Sequence, residues 1–243
     1  MIASDVAPWT VTARNLPHHA RNPIHTDAGA RAQGFPRALV AGVTTYAYLT
    51  HPVVAAWGQP WLAGGGGELR LRRPVFDADT VICRPTPDGD DAVVVEAITT
   101  EDEPRATFRA VADAGPPPAM RDGEVLRPRR IVLADEYGSD YGWNAGDDLA
   151  IYRALGVVHP AVWPAVANTV VHADVARGSW IHMRSIIRHH ALVPAGVTAD
   201  VHATVVRRYQ RSGERAVLDV RIEVDGRPVA TLEHEAIVDL STA

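Results

Sequence analysis

Polar and apolar residues alternate with a period of two in several short runs of this chain, as in β-strands that bury one face. Glu68–Arg72, in the run ELRLRRPV, is a clear case. Two dipeptides that favour tight hairpin turns, Ser212–Gly213 and Asp225–Gly226, separate three later runs. The strands predicted from these runs are Trp9–Ala13, Glu68–Val75, Thr80–Pro85, Asp91–Thr100, Arg105–Ala112, Arg129–Asp135, Trp180–His190, Val197–Gln210, Arg215–Val224 and Pro228–Leu240.

Two apolar stretches of mostly small residues interrupt the strand pattern, and each predicts a buried helix. The first is Ala38–Gly58, which we expect to break near Pro52 because proline removes a backbone donor. The second is Pro160–Val175. Each helix precedes a group of strands, so a polar loop, a helix and a set of strands follow one another twice.

This repeated order predicts two structural units joined by a linker. Residues 114–128 are rich in proline and charge, which is typical of a linker between units at 1–113 and 129–243. The elements coincide at an offset of about 117 residues when Arg73–Val81 is laid on His190–Thr198. Because a sheet wrapped on one helix leaves open edges, two such units can pair edge to edge. The predicted fold is α+β, a double hotdog in which two helix-and-sheet repeats form one long antiparallel sheet.

Composition removes several function classes. The formal net charge is −5, which gives no electrostatic reason to expect binding to nucleic acid or to an anionic membrane. All 24 basic side chains are arginine, so lysine Schiff-base chemistry and a P-loop lysine are excluded. A single cysteine, the absence of a recognisable signal peptide and the absence of a long apolar run predict a cytoplasmic protein.

The segment NPIHTDAGARAQGFPRALVAGV, residues 22–43, resembles the MaoC-like or R-specific enoyl-CoA hydratase family. The positions that match the family motif are Asn22, Pro23, Ile24, His25, Asp27, Phe35 and Gly42. The resemblance implies hydration or dehydration of an acyl thioester, carried by CoA or an acyl carrier protein, without a cofactor. It also implies that His25 is the base, that Asn22 holds the loop or the substrate, and that the Gly42 N–H binds the thioester oxygen.

Two positions depart from that pattern. The catalytic carboxylate of the family falls at Ala20, and a frequent histidine before the helix glycine is replaced by Ala41. Possible replacement partners for His25 are Asp27, Asp140, Tyr141, Asp147 and Asp148. Asp27 could instead cap the following helix, and the others could belong to a solvated loop or a cap. In the second repeat Asn144 would correspond to Asn22, and Asp147 to His25.

The remaining candidates have structural alternatives. His182 could line the pocket or pack in the core, and Arg73 could meet phosphates of the carrier or lie on a solvated strand face. No motif with metal-ligand spacing is present, so no metal is predicted.

The replacement at Ala20 leaves other functions open. They are different acyl chemistry on the same fold (thioesterase, isomerase or cyclase) and a non-catalytic acyl-binding protein. The paired repeats predict a monomer, although exposed sheet edges could still form a homodimer.

Overall fold

The computed structural model describes residues 5–99 and 103–240, and within these ranges eleven strands form one antiparallel sheet. The first repeat contributes β1 Trp9–Thr12, β2 Gly66–Leu71, β3 Thr80–Pro87, β4 Ala92–Ile98 and β5 Ala106–Val111. The rest of the chain contributes β6 Glu124–Val125, β7 Arg129–Val132, β8 Ile181–His189, β9 Thr198–Gln210, β10 Glu214–Val224 and β11 Arg227–Asp239. The outer ends of the predicted units and the end of the strand predicted to reach Thr100 lie outside the described residues.

The two groups of strands meet edge to edge, as the sequence predicted. The order is β1-β3-β4-β5-β2-β8-β11-β10-β9-β6, with β7 also paired to β9. At the junction β2 and β8 are antiparallel, from the pair Gly66 and Arg188 to the pair Arg70 and Arg184. The predicted linker at 114–128 contains β6, and its Arg121 forms an ion pair with Asp219 on β10. The division into units at 1–113 and 129–243 stays a prediction.

The backbone contacts of the two repeats correspond at a shift of 118 residues. An isolated bridge joins Leu39 to Phe76 in the first repeat, and a bridge of the same kind joins Val157 to Pro194 in the second. Next to the bridge in the first repeat, the Val40 N–H donates to the Val75 carbonyl at 2.8 Å. In the second repeat the Val158 N–H donates to the Val193 carbonyl at 3.0 Å. In this register Ala41 corresponds to His159.

Two helices fill the space behind the sheet. Helix α2, Gly42–Gly64, is buried along most of its length, and α5, Val162–Val170, continues into a π-helical turn at Val171–Val175. The shorter helices are α1 Asp27–Ala32, α3 Tyr141–Ala145 and α4 Ile151–Leu155. In the described part of the chain, none of the helices combines the length and the apolar character needed to cross a membrane.

The predicted break of the first helix near Pro52 is wrong. Helix α2 runs through Pro52, and its non-helical residue is Gly58, with φ 57° and ψ −148°. A proline cannot donate to the carbonyl four residues earlier, which here belongs to Tyr48. The buried Cys83 thiol donates to that carbonyl oxygen at 3.2 Å, which replaces the missing hydrogen bond. The chain therefore turns at the glycine, whose positive φ carries no side-chain penalty.

Both predicted hairpins are confirmed. Asp225 and Gly226, between β10 and β11, have φ of 51° and 72°. Ser212 and Gly213, between β9 and β10, have φ of 48° and 100°. At Asp225–Gly226 the two positive φ values give a two-residue turn whose twist matches that of the flanking strands, and Val224 pairs with Arg227. The connection at Ser212–Gly213 has three residues, because Gln210 pairs with Glu214.

Candidate active site

The loop that carries His25 is built from two 3-10 turns, Pro17–Arg21 and Pro23–His25, with Asn22 between them. The Asn22 side chain is buried and donates to the carbonyl of Trp180, at 2.9 Å, in the other repeat. Thr26 then caps α1, because its hydroxyl oxygen accepts from the Gly29 N–H at 3.2 Å. The expectation that Asp27 caps this helix is therefore wrong.

The His25 ring has a defined tautomer. Its Nδ1 lies 2.8 Å from the Leu39 carbonyl oxygen, an acceptor, so Nδ1 carries the proton and Nε2 keeps its lone pair. Burial lowers the pKa of His25 from its ordinary value, against the opposing effect of the Leu39 carbonyl. His25 is consequently a neutral imidazole with a free basic nitrogen at neutral pH.

Two cavities adjoin this ring. The larger has a volume of about 250 Å³ and the smaller about 40 Å³. Both are lined by the same four residues from the two repeats, which are Asn22, His25, Asn168 and Trp180. The rest of the larger wall is mainly apolar, with Ile24, Phe35, Leu39, Val40, Leu71, Pro74, Val75, Ile181, Met183 and Ile237. The smaller wall is polar and includes His18, His19, Arg21, Tyr137, Thr169 and His172.

Gly42 lines the larger cavity at the first residue of α2. The preceding residue, Ala41, has no side-chain oxygen to cap the helix, so the first N–H groups of α2 receive no capping bond. A methyl group at Gly42 would lie 2.3 Å from Leu71 Cδ1. The helix start therefore offers backbone donors and a positive dipole end beside the cavity, at a position that suits glycine.

The candidate carboxylates of the loops do not line either cavity. Asp27 is exposed, where it pairs with Arg31 at 3.2 Å and accepts from the Ala38 N–H at 2.9 Å. Asp140 is also exposed and pairs with Arg153 at 2.6 Å. Among the described residues, no carboxylate forms an ion pair with His25.

Asp147 and Tyr141 are buried away from the cavity walls. Asp147 lies 3.1 Å from His159 Nε2 and accepts from the Leu149 N–H at 2.9 Å. The Tyr141 hydroxyl is 3.5 Å from the Thr44 hydroxyl, and burial raises its pKa. Tyr141 reaches the smaller cavity only indirectly, because Thr44 in turn contacts the ring of His19 at 3.2 Å.

The two predicted substrate-binding residues, His182 and Arg73, do line the larger cavity. His182 is buried, and burial lowers its pKa to about 3. Arg73 lies on the exposed rim and pairs there with Glu103. Its neighbour Arg72 also lines the rim, and its guanidinium makes no ion pair within the described ranges.

Two cavity residues were missed in the sequence. Asn168 is an amide in helix α5, whose other residues except Thr169 are apolar, and its side-chain oxygen is buried without a hydrogen-bond partner in the described part of the chain. That amide in an apolar helix was the signal that could have located it. His19 faces the smaller cavity, and burial lowers its pKa to about 2. Nothing in the local sequence distinguishes His19 from its neighbour His18.

One histidine–aspartate cluster has the composition of a metal site. His51, Asp147 and Asp148 each bring a ligand atom within 4.8 Å of the others. His51 Nε2 already contacts Asp148 Oδ1 directly at 2.8 Å, and Asp147 is engaged by His159. None of these residues lines the two cavities, so the cluster takes no part in the candidate active site.

Comparisons with known sequences return nothing: no protein-family model matches the chain, and no curated protein does either. Solved structures do match. Rv0216 of Mycobacterium tuberculosis, which is described as a double hotdog, is 14% identical with a TM-score of 0.63, over 98% of each chain. The chain has the double-hotdog fold.

Two further matches with this double-hotdog fold carry provisional enzyme names. One is a MaoC domain protein dehydratase from Chloroflexus aurantiacus, 11% identical over 98% of this chain and 97% of the other, with a TM-score of 0.62. The other is an oleoyl thioesterase from Lactobacillus plantarum, 9% identical over 98% and 99%, with a TM-score of 0.52. At these identities the likeness establishes the fold and not the reaction.

Proposed function

We propose that this chain is an acyl-thioester hydratase or dehydratase in which His25 is the base. The observation that carries the proposal is the hydrogen bond from His25 Nδ1 to the Leu39 carbonyl, on a ring that lines both cavities. This bond leaves the neutral Nε2 free to accept a proton. The larger, mainly apolar cavity suits an acyl chain, and the smaller polar one has room for water, which needs about 10–15 Å³.

One imidazole can balance the whole reaction. In hydration, Nε2 of His25 takes a proton from water while the water oxygen bonds to C3 of the 2,3-unsaturated thioester. The electrons of the 2,3 double bond move to form an enolate, with negative charge on the thioester oxygen. The imidazolium then returns its proton to C2, which regenerates the neutral ring. Dehydration is the reverse, and the carboxylate that the family places at Ala20 is not needed for this balance.

The start of α2 would stabilise the enolate. The Gly42 N–H and the positive end of the helix dipole lie beside the cavity where the thioester oxygen would develop charge. Asn22 supports the reaction by holding the His25 loop to the Trp180 carbonyl. Asn168 offers an unpartnered amide oxygen on the wall shared by both cavities, where it could accept from the water.

The exposed rim of the larger cavity suits a phosphate-bearing carrier. Arg72 and Arg73 both line it, and guanidinium groups bind phosphates well. Arg73 would have to exchange its partner Glu103, whereas Arg72 has no ion pair to give up among the described residues. We therefore propose CoA or an acyl carrier protein as the carrier, with Arg72 as the more available contact.

The chain supplies both walls of the cavity, from residues as far apart as His25 and Ile237. A monomer would therefore hold a complete site, and the alternative of a homodimer stays open at the sheet edges. A cytoplasmic location remains a prediction from the sequence.

The direct test is incubation of the purified protein with crotonyl-CoA, followed by separation of the products. Enzymatic hydration to 3-hydroxybutyryl-CoA, at a rate proportional to enzyme concentration, is the expected result. Release of free CoA without hydration would instead identify a thioesterase. Binding of acyl-CoA without either product would identify a non-catalytic acyl-binding protein and reject the proposal.

Thioester hydrolysis is the second candidate. Hydrolysis needs a base and an oxyanion donor but no proton delivery to C2. A site in which His25 has no carboxylate partner within the described residues could therefore also support this reaction. In that reaction the water that loses its proton to His25 would attack the thioester carbonyl, and the imidazolium would protonate the departing thiolate. The oleoyl thioesterase name of one structural match agrees with this alternative.

The substitution Ala20→Asp puts back the carboxylate that the family has at this position. It is not expected to create an active site in which this carboxylate acts together with His25. Ala20 is exposed on the turn Pro17–Arg21 and does not line either cavity, whereas His18 and His19 do. Turnover of crotonyl-CoA should stay within about twofold of wild type, the scale of a neutral surface substitution. Ala20→Asn is the matched uncharged control. A gain of about tenfold or more in Ala20→Asp alone would mean that position 20 faces the reacting atoms.

A further inference from the structure

A buried chain of three polar side chains leads to the wall of the larger cavity. His182 Nε2 lies 2.8 Å from the Ser185 hydroxyl oxygen, and that oxygen lies 2.9 Å from His234 Nδ1. All three side chains are buried, and the two rings stack at a centroid distance of 4.3 Å. A β-bulge between β8 and β11, where His182 pairs with Ala236 but Arg184 pairs with Glu235, places both His182 and Ser185 on the buried face.

Each ring has one nitrogen left over. Within the described part of the chain, His182 Nδ1 and His234 Nε2 are both buried without a hydrogen-bond partner. Burial lowers the pKa of His182 to about 3, against the opposing effect of the Arg184 backbone, and it lowers that of His234 well below its ordinary value, so both rings are neutral. A neutral ring carries one N–H, and a hydroxyl oxygen can accept from both rings or accept from one and donate to the other. In the described part of the chain the two ring nitrogens are the hydrogen-bond partners of the Ser185 hydroxyl, so its own hydrogen is paired only if it donates to one of the rings. One of the two leftover nitrogens must therefore carry a hydrogen.

The surroundings decide which nitrogen that is. A buried N–H without an acceptor is costlier and rarer than an unused lone pair. His234 does not line the cavity, so a hydrogen on its Nε2 would have no acceptor. His182 lines the cavity, and its Nδ1 lies 3.4 Å from the position that a methyl group on Gly42 would occupy. The hydrogen is better placed on His182 Nδ1, where a ligand can accept it.

We propose that the His182 Nδ1–H and the Gly42 N–H together bind the carbonyl oxygen of an acyl thioester. This rests on the proposed function. His234 and Ser185 are positioning residues: His234 Nδ1–H donates to Ser185, whose hydroxyl donates to His182 Nε2. This order of donors holds His182 in the tautomer that presents Nδ1–H at the start of α2. The binding site for the oxygen thus combines a helix N-terminus with a side-chain donor from the other repeat.

Two substitutions of His182 separate the nitrogens. In His182→Asn the amide nitrogen takes the place of Nδ1, so a donor toward the cavity is kept. In His182→Gln the amide takes the place of Nε2, so the contact with Ser185 is kept and the cavity donor is lost. Loss of one oxyanion donor typically costs on the order of 10²–10³ in kcat. In turnover of crotonyl-CoA, His182→Gln should show that loss of kcat. His182→Asn keeps the donor toward the cavity, so its kcat should lie only about tenfold below that of the wild-type protein.

Ser185→Ala tests the positioning role without changing the cavity wall. Because the tautomer of His182 would no longer be fixed, kcat should fall on the order of tenfold while KM changes little. His190→Gln is the control, since this ring contacts Thr231 and does not line the cavity. A His182→Gln protein that folds and turns over like wild type, or a His182→Asn protein more impaired than His182→Gln, would overturn the proposal.

The tautomer of His182 can also be determined without an activity measurement. Nitrogen-15 NMR of histidine-labelled protein distinguishes Nδ1–H from Nε2–H rings, and the His182 variants assign the signal. An Nδ1–H signal for His182 is expected, and an Nε2–H signal would reject the proposed order of donors. An Nδ1–H ring in a protein that neither turns over nor binds crotonyl-CoA would keep that order and reject the thioester role. The two failures are therefore distinguishable.

Discussion

His25→Ala is expected to lower kcat/KM for the hydration of crotonyl-CoA by about 10²–10⁴, the usual contribution of a general acid–base group. The expected loss is large because the same ring carries out both proton transfers in the proposed reaction. No carboxylate among the described residues pairs with His25 and could take over. Steady-state kinetics on the variant, with circular dichroism to confirm the fold, measures the effect.

The pH dependence of the activity is a second test of the role of His25. The active form is the neutral ring, and burial lowers the pKa of His25 below its ordinary value. Activity should therefore be constant above about pH 6.5 and should fall only at more acidic pH, through the lowered pKa. His202→Ala, which removes a half-buried histidine on β9 that lines neither cavity, is the control. A His25→Ala protein that keeps wild-type kcat/KM would show that the base is elsewhere. Absence of turnover in both the wild-type protein and the variant would instead favour the acyl-binding alternative.

Much of the fold could be predicted because its signals are local. Alternation in runs such as Glu68–Arg72 depends on which face of one strand is buried, and the hairpin turn at Asp225–Gly226 depends on two backbone torsions. The error at Pro52 has a different origin. Whether a proline breaks a helix depends on a donor for the freed carbonyl, and here that donor is the thiol of Cys83 on a distant strand. No local pattern contains that information.

The site was predictable only in part for the same reason. His25, Asn22 and Gly42 lie in one continuous motif, and all three line the larger cavity. Asn168 and His19 meet on the smaller cavity although about 150 residues separate them in the chain. The candidate carboxylates were chosen from their loop positions, but a loop position does not fix the direction of a side chain. Asp27 turns toward Arg31 and solvent instead.

The second large effect is expected in acid. His182, His189 and His234 are buried, and burial lowers the pKa of His182 to about 3, that of His189 to about 4, and that of His234 well below its ordinary value. In the unfolded chain each ring titrates near 6.5. Below that pH the unfolded chain binds protons that the folded protein does not. Stability is therefore complete above about pH 6.5 and is lost as the pH falls toward the folded pKa values.

Each of these rings should cost about 1.4 kcal/mol of unfolding free energy per pH unit below 6.5. At pH 5 that amounts to roughly 2 kcal/mol a ring, or about 6 kcal/mol for three, which compares with about 5–15 kcal/mol for a whole domain. His19 and His25, whose pKa values burial also lowers, act in the same direction. Urea unfolding at pH 7.5, 6.0 and 5.0 measures the slope. We expect the protein to lose much of its stability well above the pH at which ordinary carboxylates titrate.

Two variants can show whether the buried histidines cause the change of unfolding free energy with pH. His189 Nδ1 donates to the Trp61 carbonyl at 3.2 Å, and in His189→Asn the amide can keep that bond without titrating. This variant should lose about 1.4 kcal/mol per pH unit from the slope. Val166→Ala removes a buried side chain of α5 and should lower stability by about 1–3 kcal/mol at every pH with an unchanged slope. Equal unfolding free energies of the wild-type protein at pH 7.5 and pH 5.0 would contradict the burial of neutral histidines, because protonation of these rings in the unfolded chain should by itself lower the stability over this range.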